Sequence, residues 1–204
     1  MATTEGAAVD PYTRPRGRPR LAIDRDAVAD AVADLFREGG YEAVTIPSVA
    51  EKLSVSRATL YRTVSTKRDL LGILYEFRFG DIAQRAREVV ADTDDPAEQL
   101  TRLIRLQADA AVQMRRYLPV FFGGGELPSD VFAQWHTWSR RFEKIWADVV
   151  AANMREGNLE TGDPVVTTRL ILGMLIWVSR WYRPSEDVTP DEIADAALRL
   201  VRLG

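Results

Sequence analysis

The sequence predicts an all-α protein of about nine helices, and three observations carry that expectation. Apolar residues recur at three- and four-residue spacing in segment after segment, the period of one helix face. Segment starts carry helix-opening chemistry, as at Ser56, Asp95-Pro96 and Asp163-Pro164, where a capping side chain or a first-turn proline fits. The two-residue alternation of a strand is missing, and no internal repeat is visible.

Composition narrows the function classes. The 204 residues, 46% of them hydrophobic, suffice for one large domain or two small ones. There is no cysteine, which excludes disulfides, thiolate metal sites and cysteine nucleophiles and suits a reducing cytoplasm. The N-terminal residues have no apolar h-region, and the most apolar run, Leu170 to Val178, is too short to span a bilayer. Neither a secretory signal nor a membrane partner is expected. The single histidine, His136, lies between Trp135 and Trp138 and reads as a packing or pocket residue. No catalytic group, metal or cofactor is expected.

In chain order, residues 1–22 read as a basic arm, disordered in the free protein. Pro15-Arg16-Gly17-Arg18-Pro19 resembles an AT-hook core, in which Arg16 and Arg18 enter a narrow A·T-rich minor groove. A generic basic tail that only raises nonspecific affinity is the equal alternative. Asp24 to Glu38 reads as a helix, with Val28, Val32, Leu35 and Phe36 on one face and Gly39-Gly40 as its stop.

Thr45 then stands where an N-cap belongs, Pro47 falls in the first turn, and Ile46, Val49, Ala50 and Leu53 share a face. After Ser54-Val55, Ser56 caps a second short helix bearing Leu60, Tyr61 and Val64. Two short helices joined this tightly form a helix-turn-helix, whose second helix can lie in the DNA major groove. From Thr45 to Arg68 the cations Lys52, Arg57, Arg62, Lys67 and Arg68 face Glu51 alone, a net +4 in a chain whose total is −3. Such local concentration is the footprint of phosphate binding.

A long helix from Lys67 to about Val90 follows, then one from Pro96 to about Arg116. Pro119 and Gly123-Gly124-Gly125 interrupt the pattern; Phe121 and Phe122 before the glycines either pack or line a pocket entrance. Ser129 to Glu156 carries Trp135, Trp138, Phe142 and Trp146 along one stripe. Most of such a stripe is core, but helices bearing large rings can also enclose an apolar cavity. Pro164 to Trp181 is apolar on nearly every face in its middle, so it should be buried all round, one side against its own core and the other against a second subunit. Thr189-Pro190 opens a last helix.

Thr45 to Leu71 resembles the DNA-binding signature of TetR-family transcription regulators. Thr45, Val49, Ala50, Val55, Ser56, Thr59, Leu60, Tyr61, Lys67, Leu70 and Leu71 fall in its register without a gap. Ser54 replaces a common glycine and Val64 a common phenylalanine, while Arg62-Thr63 stands where histidines or tyrosines are frequent. Trp181-Tyr182-Arg183-Pro184 and the final helix resemble the end of actinobacterial members that sense fatty-acyl or steroid-derived CoA thioesters.

The resemblance implies a helix-turn-helix DNA-binding domain over residues 23–70 and an effector-binding and dimerisation domain over 71–204. Thr45 and Lys67 would contact phosphates, as would Tyr61 unless it packs in the core, and Ser56 belongs to the same DNA-binding set. Arg57, Thr59 and Arg62 would lie toward the exposed side of the reading helix, where either arginine could reach a guanine edge. The ligand would sit among Phe121, Phe122, Trp135, Trp138, Phe142, Trp146 and Trp177, with Arg140, Arg141 or Arg180 near an anionic group. The expected protein is a cytoplasmic, nucleoid-associated homodimeric repressor, paired through its last two helices. A hydrophobic or acyl-CoA-like small molecule would release it from a near-palindromic double-stranded DNA operator. The rivals are an effector-independent architectural or replication-linked DNA binder and, remotely, a helical hydrolase using Ser139 and His136.

Overall fold

The computed structural model describes residues 24–116, 129–185 and 187–201, which form eight α-helices and one 3-10 turn, with no strand among them. The helices are α1 (Arg25–Ala43), α2 (Ile46–Lys52), α3 (Arg57–Tyr61), α4 (Lys67–Asp92), α5 (Pro96–Gln113), α6 (Ser129–Arg155), α7 (Pro164–Trp181) and α8 (Pro190–Val201). The 3-10 turn, Met114–Arg116, closes α5. Arg16, Arg18, Phe121 and Phe122 lie outside the described residues. No helix among the described residues is long and apolar enough to cross a membrane.

Caps set most boundaries. Asp24, Thr45, Ser56, Thr66, Asp95 and Asp163 each accept a backbone N–H from the first turn of α1, α2, α3, α4, α5 and α7 respectively. Each such cap is worth about 1 kcal/mol of helix stability. Gly39-Gly40 ends the regular part of α1: Gly40 has φ +67°, and a Cβ on Gly39 would stand 2.8 Å from the Ala43 Cβ. Tyr41–Ala43 then forms a further turn leading into α2.

α1 packs along α4, and α2 bridges α1 and α3. α5 is the central element of the body, touching α4, α6, α7 and α8. Val28, Val32, Leu60, Val64, Leu70 and Leu74 are sealed in the head, and Leu103, Ile104, Trp146 and Leu175 in the body, within one apolar cluster. Burying each such side chain contributes roughly 1.5–3 kcal/mol. Asn153 staples α6 to α5, its amide nitrogen donating to the carbonyls of Pro96 at 2.7 Å and Val149 at 2.9 Å.

α4 runs unbroken across residue 70, the long helix expected from Lys67 to about Val90. α7 has one apolar face in the core and one open in the single chain. Ile171, Leu172, Leu175 and Val178 face the core, while Val166, Leu170 and Trp177 are 51%, 70% and 64% exposed. Its apolar sequence therefore describes two faces with different neighbours, one of them open in the single chain.

Candidate DNA interface and effector cavity

The reading head is built from capped helix starts. The Thr45 hydroxyl accepts the Ser48 N–H at 3.1 Å, and the Ser56 hydroxyl accepts the Thr59 N–H at the same distance. The Ser56 and Thr59 hydroxyls are 2.7 Å apart, and the Arg62 guanidinium donates to the Thr59 hydroxyl at 3.3 Å. Ser56, Thr59 and Arg62 thus form one polar strip along α3, with Arg57 exposed beside it. Leu60 is the side chain by which α3 is anchored, fully buried. Tyr61 is 51% exposed, so the aromatic ring faces outward and core packing is not its role.

Lys67 opens α4, where the helix N-terminus adds partial positive charge. Thr66 and Asp69 form a capping box there, and Asp69 also accepts the Ser65 N–H at 3.0 Å. The Thr66 hydrogen bonds are the main cause holding the Asp69 carboxyl below its ordinary pKa. Lys52 braces the head internally, its amine bonding Glu38 at 2.7 Å and so tying α2 to α1. The turn between α2 and α3 places Ser54 at φ +54°, a left-handed conformation that favours glycine.

The body encloses a cavity of about 370 Å³ between α4, α5, α6 and α7. Phe79 and Ile82 come from α4, Gln107 and Ala110 from α5, Met114 from the 3-10 turn, and Leu172, Gly173 and Ile176 from α7. The aromatic wall is ordered: Trp138 stacks on Phe142 at 5.1 Å and 8°, and on Trp135 at 5.2 Å. Phe79 meets Trp135 and Trp138 edge-on at 4.9 and 5.2 Å. Tyr75 lies edge-on to Trp138, and burial pushes its hydroxyl pKa up to about 12, with Arg141 opposing. At the rim Arg169 grips Glu143 through two hydrogen bonds of 3.0 and 2.9 Å.

Of the residues the sequence nominated for a ligand, Trp135, Trp138 and Phe142 come together on this cavity. Trp146 does not line it, being sealed in the core beyond Phe142, and Trp177 lies on the open face of α7. Both belonged to an apolar stripe, but periodicity alone cannot separate cavity wall from core or outer face. Among the described residues, Arg140, Arg141 and Arg180 are absent from the lining, and Arg169 brings a cation to its rim. Gln107 and Arg169 were not singled out by sequence, because a lone polar residue on a helix looks like solvated surface until its neighbours are known. His136 and Ser139 both line the cavity, but the Ser139 hydroxyl donates to the His136 backbone carbonyl at 3.3 Å, which is not the geometry of a serine–histidine relay. Gln107, 5% exposed, keeps its Oε1 without a hydrogen-bond partner among the described residues. Such a buried amide oxygen costs about 1–3 kcal/mol.

Comparison with known proteins follows this division. A family model described as bacterial regulatory proteins, tetR family, matches residues 28–72. A second, the tetracyclin repressor-like C-terminal domain, matches residues 93–204. The HTH-type transcriptional repressor KstR2 of Rhodococcus jostii (strain RHA1) is 24% identical over 180 residues, covering 87% of this chain and 88% of that protein. The crystal structure of AibR in complex with isovaleryl coenzyme A and operator DNA aligns with a TM-score of 0.75 at 19% identity, over 87% of this chain and 97% of that one. The ketosteroid transcriptional regulator KstR2 of Mycobacterium tuberculosis gives 0.74 at 21% identity, over 87% and 92%. At these identities the two solved structures establish a shared fold.

Proposed function

The chain belongs to the TetR family of bacterial regulatory proteins, and from that premise we propose a homodimeric repressor that an apolar or acyl-CoA-like ligand releases from its operator. One observation carries the reading: α4 begins at Lys67, beside the helix-turn-helix, and lines the aromatic cavity with Phe79 and Ile82 further along the same unbroken helix. A ligand among Phe79, Trp135, Trp138 and Phe142 that favours one placement of α4 thereby favours one placement of α3. It does so only to the extent that it binds the two conformers with different affinity.

In this reading residues 23–70 form the DNA-binding domain and residues 71–204 the effector and dimerisation domain. Thr45, Ser56, Tyr61 and Lys67 contact the backbone, and Arg57, Thr59 and Arg62 present the reading surface. The partner is a second copy, seated on the open stripe of Val166, Leu170 and Trp177 on α7 with Leu200 of α8. A two-fold dimer places two α3 helices in successive major grooves roughly 34–36 Å apart and reads a near-palindrome. The site of action is the bacterial cytoplasm, at the nucleoid. An acyl thioester suits the cavity's apolar wall, and the isovaleryl coenzyme A held by AibR supports that class.

The test is operator binding, on a site found by genomic footprinting, titrated against a library of acyl-CoA and hydrophobic compounds. A compound that dissociates the complex, and fails on a Trp138→Ala variant that still binds DNA, supports the reading. A library with no effect on wild type sinks it in favour of an effector-independent architectural binder.

A further inference from the structure

The cavity has one feature its apolar wall does not account for. Gln107 projects from α5, the central helix of the body, and lines a space shared by the rings of Phe79, Trp135 and Phe142, by aliphatic side chains, by His136 and Ser139, and by the Glu143–Arg169 pair. It is 5% exposed, and its Oε1 has no partner among the described residues. Asn153, also buried, is different: its amide nitrogen is engaged by the Pro96 and Val149 carbonyls, so that amide holds helices together. The Asn153 Oδ1 is unpartnered as well, but no hydrogen bond among the described residues ties the Gln107 amide to a neighbouring helix. Trp138, on the same cavity, keeps its buried Nε1–H unpartnered too. An amide offers both donors and an acceptor, and an indole offers a donor. Turned about its last side-chain bond, the Gln107 amide can give a proton to a ligand oxygen or accept one from a ligand hydroxyl.

We propose that Gln107 is the specificity-determining residue of this cavity, selecting a neutral ligand group that carries a carbonyl or hydroxyl oxygen over a plain hydrocarbon of the same shape. The proposal rests on the cavity being the effector site. The group is neutral because the charged pair at the rim, Arg169 and Glu143, is engaged with itself. A site built to hydrogen-bond a polar group discriminates strongly against the analogue that lacks it, since its own buried polar atoms then stay unpaired.

A matched pair of small probes tests this on the full chain: acetophenone and α-methylstyrene, which share one skeleton and differ by a carbonyl oxygen against a methylene. Calorimetric titration of wild type and Gln107→Met yields the ratio of the two dissociation constants in each protein. The intrinsic difference in hydrophobicity cancels between proteins. The ratio is expected to shift about tenfold toward the hydrocarbon in Gln107→Met. An unchanged ratio overturns the proposal and leaves the cavity reading standing. Failure of both probes to bind wild type at millimolar concentration overturns the cavity as a ligand site, and this proposal with it. Gln107→Leu, scored in the same way, replaces Gln107→Met if the latter does not fold.

Discussion

The Lys67 amine stands 3.5 Å above the centroid of the Tyr41 ring and 3.8 Å from the Glu42 carboxylate. A cation held over a ring is oriented before any phosphate arrives, at a strength of about 0.5–2 kcal/mol for a half-buried pair. Lys67→Ala should therefore weaken binding to every DNA sequence alike and lower the salt slope of log K by about 1. Fluorescence anisotropy at several salt concentrations measures both. A loss confined to one base position would contradict the phosphate assignment.

Arg57 and Arg62 should behave differently. Both guanidinium groups lie on exposed α3 positions, and Arg62 is braced by Thr59 at 3.3 Å. Truncating either to alanine should relax preference at one base pair per half-site by about 1–3 kcal/mol, with a smaller effect on nonspecific DNA. If both variants discriminate as wild type does in a randomised-operator selection, α3 is not the reader.

Ser54 occupies a left-handed turn at φ +54°. For a non-glycine residue that conformation costs about 1–2 kcal/mol, part of which glycine returns through its freer unfolded chain. Ser54→Gly should thus stabilise the fold by about 0.5–1 kcal/mol and raise Tm by about 1–4 °C. Calorimetry decides; an unchanged or lower Tm means the serine side chain contributes what the backbone loses.

Two helix starts make stability fall in acid. Hydrogen bonds from Thr66 hold the Asp69 carboxyl below its ordinary pKa, and those from Thr189 do the same for Glu192. A depressed folded-state pKa means the contribution is present above the unfolded pKa and lost as pH falls through the folded one. Thr66→Ala removes the largest cause and should return the Asp69 carboxyl toward its ordinary range in a carbon-detected NMR titration. Thr189→Ala should move Glu192 less, because the Thr189 N–H still donates to it. Thr66→Ala should also flatten the acid limb of the stability curve. An unmoved Asp69 midpoint would refute the capping origin of its shift.

Leu170→Glu combined with Trp177→Glu places two charges on the open stripe of α7 without entering the core. Light scattering should report dimers for wild type and monomers for the double variant, and operator affinity should fall at least tenfold because the two heads would no longer bind as a unit. A dimer that persists would move the interface elsewhere.

The head was legible in the sequence because its signals are local. Thr45, Ser56 and Gly39-Gly40 act on backbone groups within a few residues, and the apolar positions Val49, Leu60 and Val64 pack at spacings the helix fixes. The structure puts each of these where the pattern does. The cavity was legible only in part. Trp135, Trp138 and Phe142 share a helix face with Trp146, yet one turn along α6 separates a cavity wall from sealed core. Gln107 and Arg169 owe their positions to packing between helices far apart in sequence, which no spacing on one helix records.

α4 has no joint between its two ends. At about 1.5 Å per residue, the fifteen steps from Lys67 to Ile82 span about 22 Å. Pivoting such a rod by roughly 10° about its cavity end sweeps the Lys67 end through about 4 Å, more than the roughly 3 Å length of a hydrogen bond. A tilt of that size at the cavity is thus already enough to carry the Lys67 end out of hydrogen-bonding reach of a phosphate it had met.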